Sequence, residues 1–261
     1  MASVRAFLGG VGFFVQGLRW MARHPGSWLF GLLPAVVTAV LYIGVLIFLG
    51  TRADDISAYF TPFADDWNAA LRNTMRAVIA IVVFGAGLAV AVLTFTPITL
   101  TIGDPFYQKL SERVEESYGE VPEGIDESLW RSIVRSVKDS LATLGYALLF
   151  TVPLFFLGFV PGVGQTVVPV LGALVSGFFL TAELTTLAME RRGILRKERF
   201  AILRANKATA VGFGVVTFLI FLVPLGAIIA MPVAVAGAAI MVRLNLAAAS
   251  EGTAAPDARV G

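Results

Sequence analysis

Charge is withheld from this chain in long blocks, and that constrains its fold more than any other feature. Trp28–Thr51 and Ala77–Gly103 contain no charged side chain, and Ser140–Ala182 runs for 43 residues and Ala208–Val242 for 35 without one. About 20 apolar residues in a helix cross a bilayer core of about 30 Å. A helix on a soluble domain instead carries polar and charged residues along its solvent face. The chain is 57% hydrophobic and 15% charged, against roughly 45–50% and about 25% in soluble domains, so it has too little polar surface to cover such blocks. An all-α membrane protein is expected, with a single integral membrane domain over residues 1–246 and a disordered tail over 247–261.

Several functional classes drop out on composition. The chain has no cysteine and a single histidine, His24, so disulfides, thiol chemistry and a metal centre built on those ligands are not expected. A net charge of +2, from 20 basic and 18 acidic residues, gives no nucleic-acid signature. The first residues lack the long apolar core and small-residue cleavage site of a secretory signal. No phosphate-binding loop, nucleophile elbow or zinc-protease motif is present. Gly162-Val163-Gly164 lacks the strand and basic residue that would make it a phosphate loop. No catalytic residue, cofactor or metal is expected, and the protein is read as a non-enzyme.

Arg5–Arg23 reads as an amphipathic helix, with Arg5, Gln16, Arg19 and Arg23 opposite a stripe of Phe7, Leu8, Val11, Phe14, Val15, Leu18 and Met21. Such a helix lies in the membrane interface or packs against other helices. His24-Pro25-Gly26 breaks it. Trp28–Gly50 is the first expected span, anchored by an interfacial tryptophan. Thr51–Arg76 reads as a polar loop. Ala77–Gly103 is the second span, with Pro97 expected to kink or end it, and Asp104-Pro105 reads as the start of a new amphipathic helix reaching about Tyr118. Glu115–Glu127 reads as an acidic, turn-rich surface loop. The run from Glu127 through Trp130 is expected to continue unbroken into the next apolar block.

The last two blocks share a plan. Pro161-Gly162-Val163-Gly164 interrupts the first and Pro224-Leu225-Gly226 the second. Each is read as a helical hairpin with a Pro/Gly tip, either dipping part-way into the bilayer or crossing it twice. Either way its ends emerge where it began. The N-terminus, Asp104–Asp139, Glu183–Lys207 and the C-terminus then share one side, carrying 17 basic residues against 3 on the other. The positive-inside rule makes that side cytoplasmic.

The order of motifs resembles the CysZ and etoposide-induced protein family. It runs through Gly17-Leu18-Arg19, Pro25-Gly26, Pro34, Asp104-Pro105-Phe106 and Glu112-Arg113-Val114-Glu115. Arg191-Arg192-Gly193, Leu203 to Lys207 and Gly212-Phe213-Gly214 follow, and then Pro224, Pro232 and Ala236-Gly237-Ala238. The resemblance covers roughly residues 5 to 245. It implies two spanning helices, two partly penetrating hairpins and an N-terminal amphipathic helix. From bacterial members it further implies an oligomeric, sulfate-permeable pore in the inner membrane that feeds cysteine biosynthesis, with Gly17, Leu18 and Arg19 at the sulfate site.

Sulfate is a compact, strongly hydrated dianion that needs several donors at once. Arginine supplies five in a planar fork, and amides freed at a helix break supply more. Gly17 is read as such a break, with Arg19 and Arg23 as the forks. The competing reading of the same stripe is contact with lipid phosphates. Glu112, Arg113, Glu115 and Glu183 are candidates for a charged network at a pore mouth, or for ordinary surface pairs. The basic run Arg191, Arg192, Arg196, Lys197, Arg199, Arg204 and Lys207 is read as a topology determinant and a contact for lipid phosphates. The expected function is an anion channel or permease for sulfate or another small oxyanion, acting as a homo-oligomer in the lipid bilayer. A non-conducting scaffold of the same fold is the alternative.

Overall fold

The computed structural model describes residues 2–121, 129–223 and 226–246. Every regular element among them is helical. The helices are α1 Ala2–Arg23, α2 Pro25–Thr51, α3 Ala53–Phe60, α4 Ala69–Glu116 and α5 Leu129–Leu157. They continue as α6 Val163–Leu184, α7 Thr186–Glu190, α8 Arg196–Ala205, α9 Lys207–Phe221 and α10 Gly226–Met241, closed by a π turn at Val242–Leu246. Five are long and apolar enough to cross a membrane: α2, α4, α5 from Val137, α6, and α10 with its π turn. The all-α membrane class expected from the sequence is therefore found. The count differs, since both arms of the first hairpin and the second arm of the second reach spanning length. The expectations that rested on Pro224, Leu225, the loop residues 122–128 and the tail 247–261 lie outside the described residues.

The chain forms two compact units, Met1–Gly31 with Phe106–Gly261, and Leu32–Pro105. The core of the first is a bundle of α1, α6, α9 and α10. Lipid offers helices no hydrophobic drive to associate, so close backbone packing has to hold them, and small residues allow it. Gly214 on α9 lies so near Gly177 on α6 that an added methyl would overlap the Gly177 carbonyl. Beside them Thr181 Oγ1, with one proton to give, stands 2.7 Å from the Ala210 carbonyl and 3.0 Å from that of Gly177. On the other side of α9, a methyl on Gly10 or Gly212 would strike the α9 or α1 backbone respectively. α10 is the innermost element, with 67% of its most apolar stretch buried, whereas the corresponding stretch of α5 has none buried.

α1 is not the purely interfacial helix that its stripe allowed. Its buried face is Gly10, Phe14, Gly17, Trp20 and Met21, while Leu8, Val15 and Leu18 from the apolar stripe are exposed. Glycines permitting backbone contact, rather than the bulk of the hydrophobic side chains, choose the packed face.

In the second unit the parts of α2 and α4 it contains run antiparallel. Tyr42 meets Thr94 through their hydroxyls and stacks obliquely on Phe95 at 6.0 Å. The connection expected as a polar loop contains α3 and a short 3₁₀ turn at Pro62–Ala64. Asp54 and Asp55 sit in the first turn of α3, where the helix dipole favours acids. Arg76 clamps the connection through Asp65 at 2.6 Å.

α4 corrects the reading of Pro97 and Asp104-Pro105 as an end and a restart, because it runs 48 residues through both prolines. A proline removes one amide from the ladder and costs about 3 kcal/mol in a soluble helix. At Pro97, inside the charge-free stretch Ala77–Gly103, ending the helix would strand several backbone groups away from water, which costs more, so the helix continues. At 1.5 Å per residue α4 extends about 70 Å, far beyond a bilayer core, and its C-terminal turns carry the charged segment Glu112–Glu116. α9, by contrast, has 15 residues and reaches only about 22 Å. It meets α8 at a bend of 98°.

Candidate functional site

The charged groups of the first unit gather where the C-terminal end of α4 meets the segment after α7. That segment is shaped by Gly193, whose φ of 73° places it in the left-handed region that glycine tolerates. The Gly193 amide donates to Glu190 O at 3.0 Å and the Ile194 amide to Met189 O at 3.0 Å. This is the hydrogen-bond pattern of a Schellman helix end, with Ile194 buried beneath it. Arg191 and Arg192 are thereby fixed in the final turn and point at α4.

There they meet Glu115, whose side chain is fully buried. Arg191 Nη2 lies 2.7 Å from one carboxylate oxygen and Arg192 Nη2 lies 2.6 Å from the other. Arg191 also donates to the Ser111 hydroxyl, one turn earlier on α4, and Arg192 Nη1 donates to Ala188 O at 2.7 Å. Leu110 and Val114 on the same stretch of α4 are buried as well. Two guanidinium groups share one carboxylate, which leaves a net positive charge in the cluster. The sequence had singled out Glu115, but Arg191 and Arg192 were read as topology determinants and lipid-phosphate contacts, not as its partners. The Arg-Arg-Gly triplet was the available signal, since glycine after two cations marks a helix end that holds them in place.

The other candidates separate. Glu112 and Arg113 are exposed on α4, and the Arg113 guanidinium lies over the Phe30 ring at 4.2 Å. Glu183 is exposed near the end of α6. Neither Glu112 nor Glu183 forms an ion pair among the described residues, so the four charged candidates do not make one network.

A second cluster lies at the junction of α1 and α2. Trp20 Nε1 donates to Ser117 Oγ at 2.8 Å, tying the end of α1 to the end of α4. His24 stacks on Trp20 at 4.2 Å, and Trp28 Nε1 donates to Met21 O at 3.1 Å. The reading of Gly17 as a helix break is corrected, because α1 is unbroken through it. Gly17 is buried against α10, where an added Cβ would stand 2.6 Å from the Gly237 amide and overlap the Val233 carbonyl. Its small size serves packing. Leu18, Arg19 and Arg23 are exposed, and among the described residues neither arginine is paired with a carboxylate.

The basic segment 191–207 is tied down by two further pairs. Arg196 Nε meets Asp139 on α5 at 2.9 Å, and buried Arg199 lies 3.8 Å from Glu190. Burial pushes the Glu190 carboxyl above its ordinary range, only partly offset by Arg199.

Five helices of spanning character, a glycine-packed bundle in the first unit, and long stretches without charge define a polytopic α-helical membrane protein. Residues 13–232 match the family model described as sulfate transporter CysZ/etoposide-induced protein 2.4. The chain belongs to that family, and the resemblance read from its motifs is thus borne out.

Proposed function

We propose that this protein is an oxyanion permease, moving sulfate or a similar small oxyanion across a bacterial inner membrane, with its N- and C-termini cytoplasmic. Its site is the segment Gly17, Leu18, Arg19 and Arg23. One observation carries this reading: Arg19 and Arg23 present exposed guanidinium groups, without carboxylate partners among the described residues, beside the junction at which the 27-residue helix α2 begins. A helix N-terminus attracts anions through its open amides and dipole, and two arginine forks supply the charged donors that a dianion needs. Gly17 contributes by letting α1 seat on α10, which fixes where the two forks stand.

The conducting path is assembled between copies of the chain. Hydroxyls inside the apolar blocks donate to their own helices: Thr94 to Val90 O at 2.6 Å, Thr101 to Pro97 O at 2.9 Å and Thr217 to Phe213 O at 2.9 Å. Such bonds leave few donors to line a path within one protomer. Glu115 with Arg191 and Arg192 holds the end of α4 and so sets the position of Ser117, the partner of Trp20 beside Arg19. Radiolabelled sulfate binding to purified protein tests the site. Arg19→Ala and Arg23→Ala are expected to weaken binding without lowering the melting temperature. Wild-type affinity in the double variant would refute the assignment.

A further inference from the structure

A cavity of about 530 Å³ opens between α5, α6 and α8. Its floor is Phe200, which is buried and ringed by Tyr146, Phe178 and Phe179 at 6.1–6.2 Å between ring centroids. One end carries Arg196, Lys197 and Arg204. Among the described residues lining it there is no carboxylate. Arg196 is engaged by Asp139, and Arg204 gives its Nε–H to Phe200 O at 3.1 Å. That hydrogen bond uses only one of its three guanidinium nitrogens. Lys197 is exposed.

The cavity does not end at α8. A second space of about 420 Å³ shares Val175 with it and continues along the same two helices past Leu154 and Phe155 to Phe159. From Tyr146 to Phe159 the crevice follows α5 and its end for about 20 Å at 1.5 Å per residue. A leaflet's hydrocarbon half-thickness is about 15 Å. A long, narrow, aromatic-walled crevice with cations at one end only has the shape and polarity of a single membrane lipid.

We propose that this crevice is a binding site for an anionic phospholipid. Lys197 and Arg204 hold the headgroup phosphate, and an acyl chain lies along α5 and α6 over Phe200 toward Phe155. Charge complementarity selects the lipid class, since a zwitterionic lipid would bring its own cation into a ring of cations. The lipid fills a gap between the first hairpin and α8, and so braces the basic segment that also carries Arg191 and Arg192.

The test uses the full chain reconstituted in vesicles of mixed phosphatidylglycerol and phosphatidylcholine, each supplied in turn with a photoactivatable acyl chain. The expected result is phosphatidylglycerol labelling of peptides containing Tyr146–Phe150 and Leu174–Phe179. The exposed double variant Lys197→Gln/Arg204→Gln, checked for wild-type melting, is expected to reduce that labelling about tenfold. Excess inorganic phosphate leaves it unchanged. Equal labelling of these peptides by both lipids, which marks ordinary boundary lipid, would overturn the proposal. So would an undiminished preference in the double variant, competition by free phosphate, or cross-linking of these peptides to a second copy of the chain in place of lipid.

Discussion

Replacing Glu115 with glutamine removes the carboxylate that, among the described residues, Arg191 and Arg192 both hold, and the structure sets the size of the effect. The Glu115 side chain is 0% exposed and the two arginines 18% and 11%, so neither cation can turn fully into solvent without dragging the end of α7 with it. Breaking a buried ion pair by removing one partner costs about 3–5 kcal/mol, because the charge left behind is buried and uncompensated. In a domain of roughly 150–250 residues each kcal/mol shifts melting by about 2–4 °C, so a loss of about 6–12 °C or more is expected. The assay is thermal unfolding of the detergent-solubilised protein. Arg191→Gln is expected to cost less, because Arg192 still neutralises the acid. An apolar replacement of the whole cluster, Glu115→Leu with Arg191→Leu and Arg192→Met, is expected to recover most of the loss, since nothing charged is then left buried. A melting point for Glu115→Gln within about 1 °C of wild type would refute the reasoning, as would apolar replacement performing worse than the single change.

Three further outcomes follow from the packing and the charges. Gly214→Ala forces a methyl into the Gly177 carbonyl, and overpacking of this kind costs about 1–3 kcal/mol, read as a lower melting temperature with α6 and α9 pushed apart. Gly17→Ala is expected to lower melting in the same way, whereas Arg19→Ala lowers sulfate binding and leaves melting alone; a Gly17→Ala protein that melts normally and binds no sulfate would contradict the packing role. Glu190 gives a pH signature. Its folded-state pKa lies above the ordinary value of 4.5 because burial disfavours the carboxylate, so the folded state holds its proton over a window in which the unfolded chain has released it. Stability from this group is present below that window and falls as pH rises through it. Melting of wild type relative to Glu190→Gln is therefore expected to decline as pH climbs above 4.5, and a constant difference would contradict it.

Much of this architecture was legible because the bilayer imposes one simple requirement, that charge be absent over a span. That requirement alone located α2, α4, α5, α6 and the α9–α10 pair. What escaped was set by requirements that periodicity does not express. Pro97 and Asp104-Pro105 look like punctuation by the rules of soluble helices. Pro97 lies inside a charge-free stretch, where the lost hydrogen bond is cheaper than a helix end, and α4 runs on through Pro105 as well. The apolar stripe of α1 pointed to one face, but the buried face follows Gly10 and Gly17, since backbone contact rather than hydrophobic bulk orders helices in lipid. Glu115 was legible as a candidate from its motif. Its partners Arg191 and Arg192 were not, because the two stretches lie far apart in sequence and only the fold of α7 and Gly193 brings them together. Arg19 and Arg23 stand exposed as their wheel position suggested.

Sulfate flux most directly tests what this protein does. Purified protein reconstituted into liposomes is expected to admit labelled sulfate above protein-free vesicles. Unlabelled sulfate should compete more strongly than chloride, and Arg19→Ala/Arg23→Ala should lower the rate without loss of folded protein. Flux no greater than in empty liposomes, from protein that melts cooperatively, would contradict the account and leave a non-conducting scaffold as its function.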